Sequence, residues 1–221
     1  MPEIYDSKTT NIATLAELVQ NSDIIIIEGF EFVGKNYLIK NLYNVLYERD
    51  LIQMGRGLDM PRTLVYRPDY DLIEYERITS VQNRYVLRLP IMELFPEIWR
   101  AFRPRKLRLI LDKSIFSDAV YSKLVATEDV SIDEMLSVYH RLVEGWSIAI
   151  IHVSPYTSNP HQLVNAESIL GKFSSFEEYF IKLNSAEILF NDVYTTYINM
   201  FSKDNVKLIK YYIDIEIPEE E

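Results

Sequence analysis

Asp23-Ile-Ile-Ile-Ile-Glu28-Gly29-Phe30-Glu31-Phe32-Val33-Gly34-Lys35-Asn36 is the stretch on which the fold turns. Its first half is a short β-branched run without alternation, which reads as a strand buried on both faces, the pattern of a central strand in a parallel sheet. Its second half sets glycines at 29 and 34 ahead of a lysine. Residues 37 to 47 then carry Leu38, Leu42, Val45 and Leu46 at helical spacing, so the segment predicts strand, tight loop, helix. The spacing matches G-x-x-x-x-G-K and departs at Asn36, where a hydroxyl residue is expected. In a loop of this kind successive backbone N–H groups and the positive helix terminus surround phosphates. Gly29, Phe30, Glu31, Phe32, Val33, Gly34, Lys35 and Asn36 are therefore the candidate phosphate-binding residues, with Lys35 reaching β- and γ-phosphates. A chance glycine turn with a surface lysine is the competing reading; the flanking strand and helix weigh against it.

Working outward, similar apolar runs stand at Leu64 to Tyr66, Leu107 to Leu111, Ile148 to Val153 and Val206 to Ile213. Helical stretches lie between them: Ser114 to Val125, Ile132 to Val143 behind the capping box Ser131-x-x-Glu134, and Phe176 to Phe201 behind Ser175-x-x-Glu178. Gly145 closes the second of these. A short amphipathic stretch, Ile12 to Val19, precedes the first strand, and Asp71 to Phe102 reads as helical with interruptions at Pro90 and Pro96. The alternation predicts an α/β fold, a mostly parallel sheet with helices on both faces, its ligands at the carboxyl ends of the strands. Residues 1–221 read as a single domain, and 155–180, with Pro155, Pro160 and Gly171, as a lid-like connection.

Composition sets bounds on function. With 221 residues, 16 Tyr and 10 Phe the chain has ample material for one core, and its hydrophobic fraction excludes the disordered classes. Cysteine is absent, which excludes Cys-ligated zinc, thiol nucleophiles and disulfide scaffolds and points to a cytoplasmic setting. No apolar run reaches the length of a membrane span, and MPEIYDSKTT lacks a signal-peptide pattern. A net charge of -10 argues against nonspecific nucleic-acid binding, while leaving room for a locally basic cleft. His140, His152 and His161 have no zinc-protease spacing, and no G-x-S-x-G elbow exists.

Leu107-Arg-Leu-Ile-Leu-Asp112 is a strand ending in a carboxylate, as a magnesium-supporting Asp requires opposite a phosphate loop; alone, such an Asp is more often a helix cap. Here the resemblance to a family becomes specific. Ile27-Glu28-Gly29-Phe30-Glu31-Phe32-Val33-Gly34-Lys35 resembles the opening of thymidylate kinases, with an acidic residue inside the loop. Asp112-Lys-Ser-Ile-Phe-Ser117-Asp-Ala-Val-Tyr121 is similar to the Asp-Arg-Tyr-x-x-Ser segment of that family and to the Glu-Arg-Ser-x-x-Ser-Asp segment of deoxynucleoside kinases. The resemblance implies a P-loop NTPase fold with a five-stranded, mostly parallel sheet, and phosphoryl transfer from ATP with Mg²⁺ to a small nucleotide substrate, often by a homodimer. It implies catalytic roles for Lys35 at the donor phosphates, Asp112 at the magnesium and phosphate centre, Glu31 toward the acceptor sugar or phosphate, and Lys113 in place of the family arginine. Asn36 and Asp112 are the candidate metal ligands. Lysine at 113 keeps the charge but loses the bidentate fork. The lid arginines of thymidylate kinases have no counterpart between 155 and 190, where only Lys172 and Lys182 are basic. An arginine at the transferring phosphoryl is worth roughly 10³-fold or more, which leaves room for a slow enzyme.

The acceptor is less sharply marked. Tyr66-Arg67-Pro68-Asp69 follows the second strand where thymidylate kinases carry Arg-Glu-Pro-Gly and deoxynucleoside kinases carry Glu-Pro; aligned on Pro68 or on the arginine, it puts a guanidinium beside the acceptor pocket and lacks the carboxylate that a nucleoside kinase uses. A fixed positive charge suits an acceptor already phosphorylated; a solvated loop residue is the alternative. Arg84 and Arg88 stand one helical turn apart in a basic stretch, 84 to 108, and are the better candidates for acceptor phosphate, while Arg103-Pro-Arg-Lys106 reads as a solvated turn. Tyr85 and Tyr121 are candidates for stacking on a base, with ordinary packing as the competing role. The expected substrate is a pyrimidine deoxynucleotide. A free deoxynucleoside, a modified pyrimidine in nucleotide or DNA form, and a nucleotide-binding regulator without catalysis are the alternatives.

Overall fold

The computed structural model describes residues 3–6, 10–54, 63–66, 108–125, 131–155, 166–201 and 205–213. Arg67, Arg84, Tyr85 and Arg88, the helical reading of 71–102 and residues 156–165 of the lid-like segment lie outside the described residues.

Six strands form one parallel sheet: β1 (Glu3–Asp6), β2 (Ile24–Glu28), β3 (Thr63–Tyr66), β4 (Arg108–Asp112), β5 (Ile148–Pro155) and β6 (Val206–Ile213), in the order β1-β6-β5-β2-β4-β3. Five strands were expected from the family resemblance, and the sixth is β1. The reason is physical: Glu3–Asp6 is a four-residue edge strand with one partner, β6, so no continuous apolar run is needed, and Ile4 is left exposed. At the centre the reverse holds. Ile24, Ile25, Ile26 and Ile27 of β2 are all buried between β4 and β5, and each such side chain contributes roughly 1.5–3 kcal/mol of burial.

Helices α1 (Ile12–Val19), α2 (Lys35–Met54), α3 (Ile115–Val125), α4 (Ile132–Val143), α5 (Ala166–Leu170) and α6 (Phe176–Met200) connect them. The chain moves from β2 across β4 to β3, then from β4 back across β2 to β5 and β6. Right-handed crossovers, the rule for parallel strands, put α1 and α2 on one face and α3, α4 and α6 on the other. Packing follows that division: α1 meets α2, and α3 meets α4 and α6. The reversal lies between β2 and β4, so the crevice at their carboxyl ends is the switch point where ligands enter such sheets.

The caps are those their residues dictate. Asn11 and Ser131 accept hydrogen bonds from the amides of Thr14 and Glu134 at the starts of α1 and α4. Ser175 caps α6, but Glu178 reaches one residue further back than a capping box requires, accepting from Ser174 N at 2.9 Å and Ser174 Oγ at 2.6 Å. Those bonds, with Lys182, pull the Glu178 carboxyl down to about 2. Gly145 turns the chain out of α4 at φ +80.

Candidate functional site

The loop from Gly29 to Gly34 joins the end of β2 to the first turn of α2 in six residues, and its path depends on its glycines. Gly29 has φ +139, and a Cβ there would stand 2.3 Å from the Val153 carbonyl oxygen of β5. Gly34 has φ +92 and a Cβ would meet Ile213 Cδ1 at 2.9 Å. Phe32 also holds a left-handed conformation, φ +62, which is costly for a residue with a side chain and marks a constrained site. Lys35, buried at the start of α2, turns back along the loop and donates from Nζ to Gly29 O at 2.7 Å and to Phe30 O. Burial holds the Lys35 pKa below the usual lysine value, against the opposing pull of Glu31. The result is a fixed ammonium group at the mouth of a glycine-shaped turn, above the positive end of a 20-residue helix.

Across the crevice, β4 delivers Asp112, paired in register with Ile27 and 4% exposed. Lys113 follows at φ +69, its amide donating to Ile27 O at 3.0 Å. From that turn Lys113 Nζ reaches Glu31 Oε1 at 2.9 Å, and Tyr121 OH donates to the same oxygen at 2.6 Å. Burial alone would raise the Glu31 carboxyl, but Lys35, Lys113 and the Tyr121 hydrogen bond outweigh it and hold the group below the usual glutamate value. The structure thus joins four of the sequence-derived residues, Glu31, Lys35, Lys113 and Tyr121, with Asp112 at the adjacent strand end. Tyr121 is fully buried, its ring edge-on to Phe30 at 6.4 Å.

Sequence reasoning assigned no role to Glu28. It is the last residue of β2, fully buried, and accepts from Ser114 Oγ at 2.7 Å and from Ser117 Oγ. Burial pushes its carboxyl up to about 7, although the two hydroxyls and Lys35 oppose the shift. The signal was present in Ser114-x-x-Ser117, a pair of hydroxyls one helical turn apart facing the end of the neighbouring strand.

The two phenylalanines of the loop have structural partners. Phe30 packs with Phe173 at 6.2 Å and Tyr179 at 5.8 Å, and Phe32 with the same two rings at 6.4 Å each. Tyr179 OH donates to Glu31 O at 2.9 Å, tying α6 to the loop backbone. Of the two lysines in this region, Lys172 places Nζ 5.6 Å from the Phe32 ring, whereas Lys182 pairs with Glu178 at 3.3 Å and lies over Phe173. On β5, in register with Glu28, buried His152 bonds Tyr194 OH and both oxygens of Glu187, which also accepts from Ser154 Oγ. Arg108, the last member of the basic stretch, sits at the amino end of β4, donating to Thr63 Oγ1 at 3.1 Å and Gln20 O at 2.6 Å, away from the crevice.

No protein-family model matches the chain, and no curated protein matches its sequence. The residues present fit a phosphate group: a turn between β2 and α2 with positive φ at both of its glycines, a buried ammonium and a helix terminus. Among the described residues no group of three or more His, Cys, Asp or Glu could hold a metal alone. Mg²⁺ on a nucleotide needs only one or two protein ligands, since phosphate oxygens and water complete its shell; of the two candidates, Asp112 stands at the end of β4 and Asn36 is exposed on the first turn of α2.

Proposed function

We propose that the chain is a P-loop phosphotransferase, a deoxynucleoside monophosphate kinase of the thymidylate kinase type that moves the γ-phosphoryl group of ATP to a pyrimidine deoxynucleotide. The observation that carries this reading is the arrangement of Lys35, anchored on Gly29 O and Phe30 O, beside Glu31 of the same loop, which meets Lys113 across the switch point. Loop amides and the α2 terminus bind the donor phosphates, and Lys35 holds positive charge against their outer oxygens. Lys113 places a second cation on the acceptor side. Glu31, kept ionised by that lysine, orients the acceptor through its sugar or phosphate. Mg²⁺, when held by Asp112 and Asn36 with the phosphates, supplies further charge neutralisation. The side chains position and stabilise charge, with no covalent intermediate on the protein. The lack of cysteine suits a cytoplasmic setting.

An ATP-consumption screen over nucleosides, nucleoside monophosphates and pyrimidine-modified DNA tests the reading. A monophosphate should be the preferred acceptor. Preference for a free deoxynucleoside or for DNA would replace the acceptor, and no turnover with any of them would replace the enzyme. Two observations favour that last outcome as a second reading, a nucleotide-binding regulator: Lys113 is already ion-paired with Glu31, and Asn36 stands where a hydroxyl is expected.

A further inference from the structure

Two groups at the end of β2 grip the turn that carries Lys113. Ile27 O accepts the Lys113 amide at 3.0 Å, and the Glu28 carboxylate accepts the hydroxyls of Ser114, the next residue, and of Ser117, one turn into α3. Lys113 between them is in the left-handed region at φ +69, a conformation that a lysine keeps only when its surroundings over-determine it. Without that conformation the side chain leaves the turn in another direction, and Nζ loses its 2.9 Å contact with Glu31. Glu28 itself is fully buried and has no path to a bound nucleotide except through its neighbours.

We propose that Glu28 is a positioning residue of the phosphate site: by holding Ser114 and Ser117 it fixes the β4–α3 turn so that Lys113 meets Glu31, and it affects phosphoryl transfer only through Lys113. This rests on the phosphotransferase reading above for its kinetic consequence, but not for its structural one. A Glu28→Gln side chain keeps one acceptor oxygen and the shape, so the grip survives. A Glu28→Met side chain fills the same buried space with no acceptor, so the grip is lost.

The full-length protein, labelled with ¹⁵N-lysine, separates the possibilities. In the wild type and in Glu28→Gln the Lys113 ammonium gives a slowly exchanging signal, assigned by its loss in Lys113→Ala. In Glu28→Met that signal is lost while the Lys35 signal remains. With the preferred acceptor, Glu28→Met lowers kcat about 10-fold or more with KM for ATP within about threefold, and Glu28→Gln restores kcat to within about threefold. In a Lys113→Ala background the same Glu28→Met change alters kcat by less than about twofold. An intact Lys113 signal in Glu28→Met, or an undiminished kcat effect in the Lys113→Ala background, overturns the proposal. If Glu28→Met does not fold, Ser114→Ala with Ser117→Ala removes the same grip and is read by the same signals. If the wild type transfers no phosphate, the phosphotransferase reading fails on its own and the ammonium signals still decide the role of Glu28.

Discussion

Lys113 Nζ and Glu31 Oε1 stand 2.9 Å apart with both side chains almost wholly buried, so the ion pair spans the crevice between the β4 turn and the glycine loop. Breaking a buried pair strands a charge, which costs about 3 kcal/mol or more, whereas replacing both members together costs less. Lys113→Ala is therefore expected to lose more stability in urea than the double variant Lys113→Met with Glu31→Gln. A single variant no less stable than the double would show that Lys35 and Tyr121 hold the Glu31 carboxylate without Lys113.

Gly29 and Gly145 both have positive φ, but only Gly29 lies against another strand. Gly145→Ala meets nothing within 4 Å and is expected to cost about 1 kcal/mol, the ordinary price of a left-handed alanine. Gly29→Ala must push against the Val153 carbonyl and is expected to cost about 2 to 4 kcal/mol and to abolish ATP binding. Unfolding curves and calorimetry on the two variants compare them directly; equal losses would mean that β5 yields easily at 153.

The Glu28 carboxyl, raised from 4.5 to about 7 by burial, binds its proton more tightly in the folded state than in the unfolded one. Its contribution is then fully present below about pH 4.5 and is lost as pH rises toward 7, by roughly 3 kcal/mol in total. Glu31 and Glu187, both held below the usual value, act in the opposite sense, so the informative quantity is the difference between wild type and Glu28→Gln. That difference should favour the variant increasingly from pH 5 to pH 8 in chemical denaturation. A flat difference would mean that Glu28 stays ionised in the fold.

Tyr179 binds the loop twice, by its ring on Phe30 and Phe32 and by its hydroxyl on Glu31 O. Tyr179→Phe keeps the ring and leaves one buried carbonyl short of a donor, for an expected loss of about 1 kcal/mol. Tyr179→Ala removes both and is expected to cost about 3 to 5 kcal/mol and to weaken ATP binding more than its loss of stability explains. Unaltered ATP affinity in a folded Tyr179→Ala protein would separate the aromatic cap from the loop's function.

The central strands and their helices were legible because burial on both faces writes itself as uninterrupted Ile and Leu, and because Ser131 and Ser175 announce their helices. Edge strand β1 was not: Glu3-Ile-Tyr-Asp6 has one partner strand, and Glu3 and Ile4 are exposed, so it carries no such run. The glycine loop could be read from spacing, but the reason for Phe30 and Phe32 lay in Phe173 and Tyr179, more than a hundred residues away in sequence. Glu28 was hidden for a related reason. A carboxylate at a strand end looks like a surface residue until Ser114 and Ser117 are seen to enclose it.

The most direct test follows the γ-phosphoryl group itself. Wild type and Lys35→Ala, both shown folded by circular dichroism, are incubated with γ-labelled ATP, Mg²⁺ and a panel of deoxynucleoside monophosphates, and the labelled diphosphate product is measured. Under the phosphotransferase reading the wild type transfers the label to a pyrimidine deoxynucleotide and Lys35→Ala loses about 10²-fold or more, since the fixed ammonium is gone. Transfer by Lys35→Ala as fast as by the wild type, or none by the wild type to any acceptor, would contradict it.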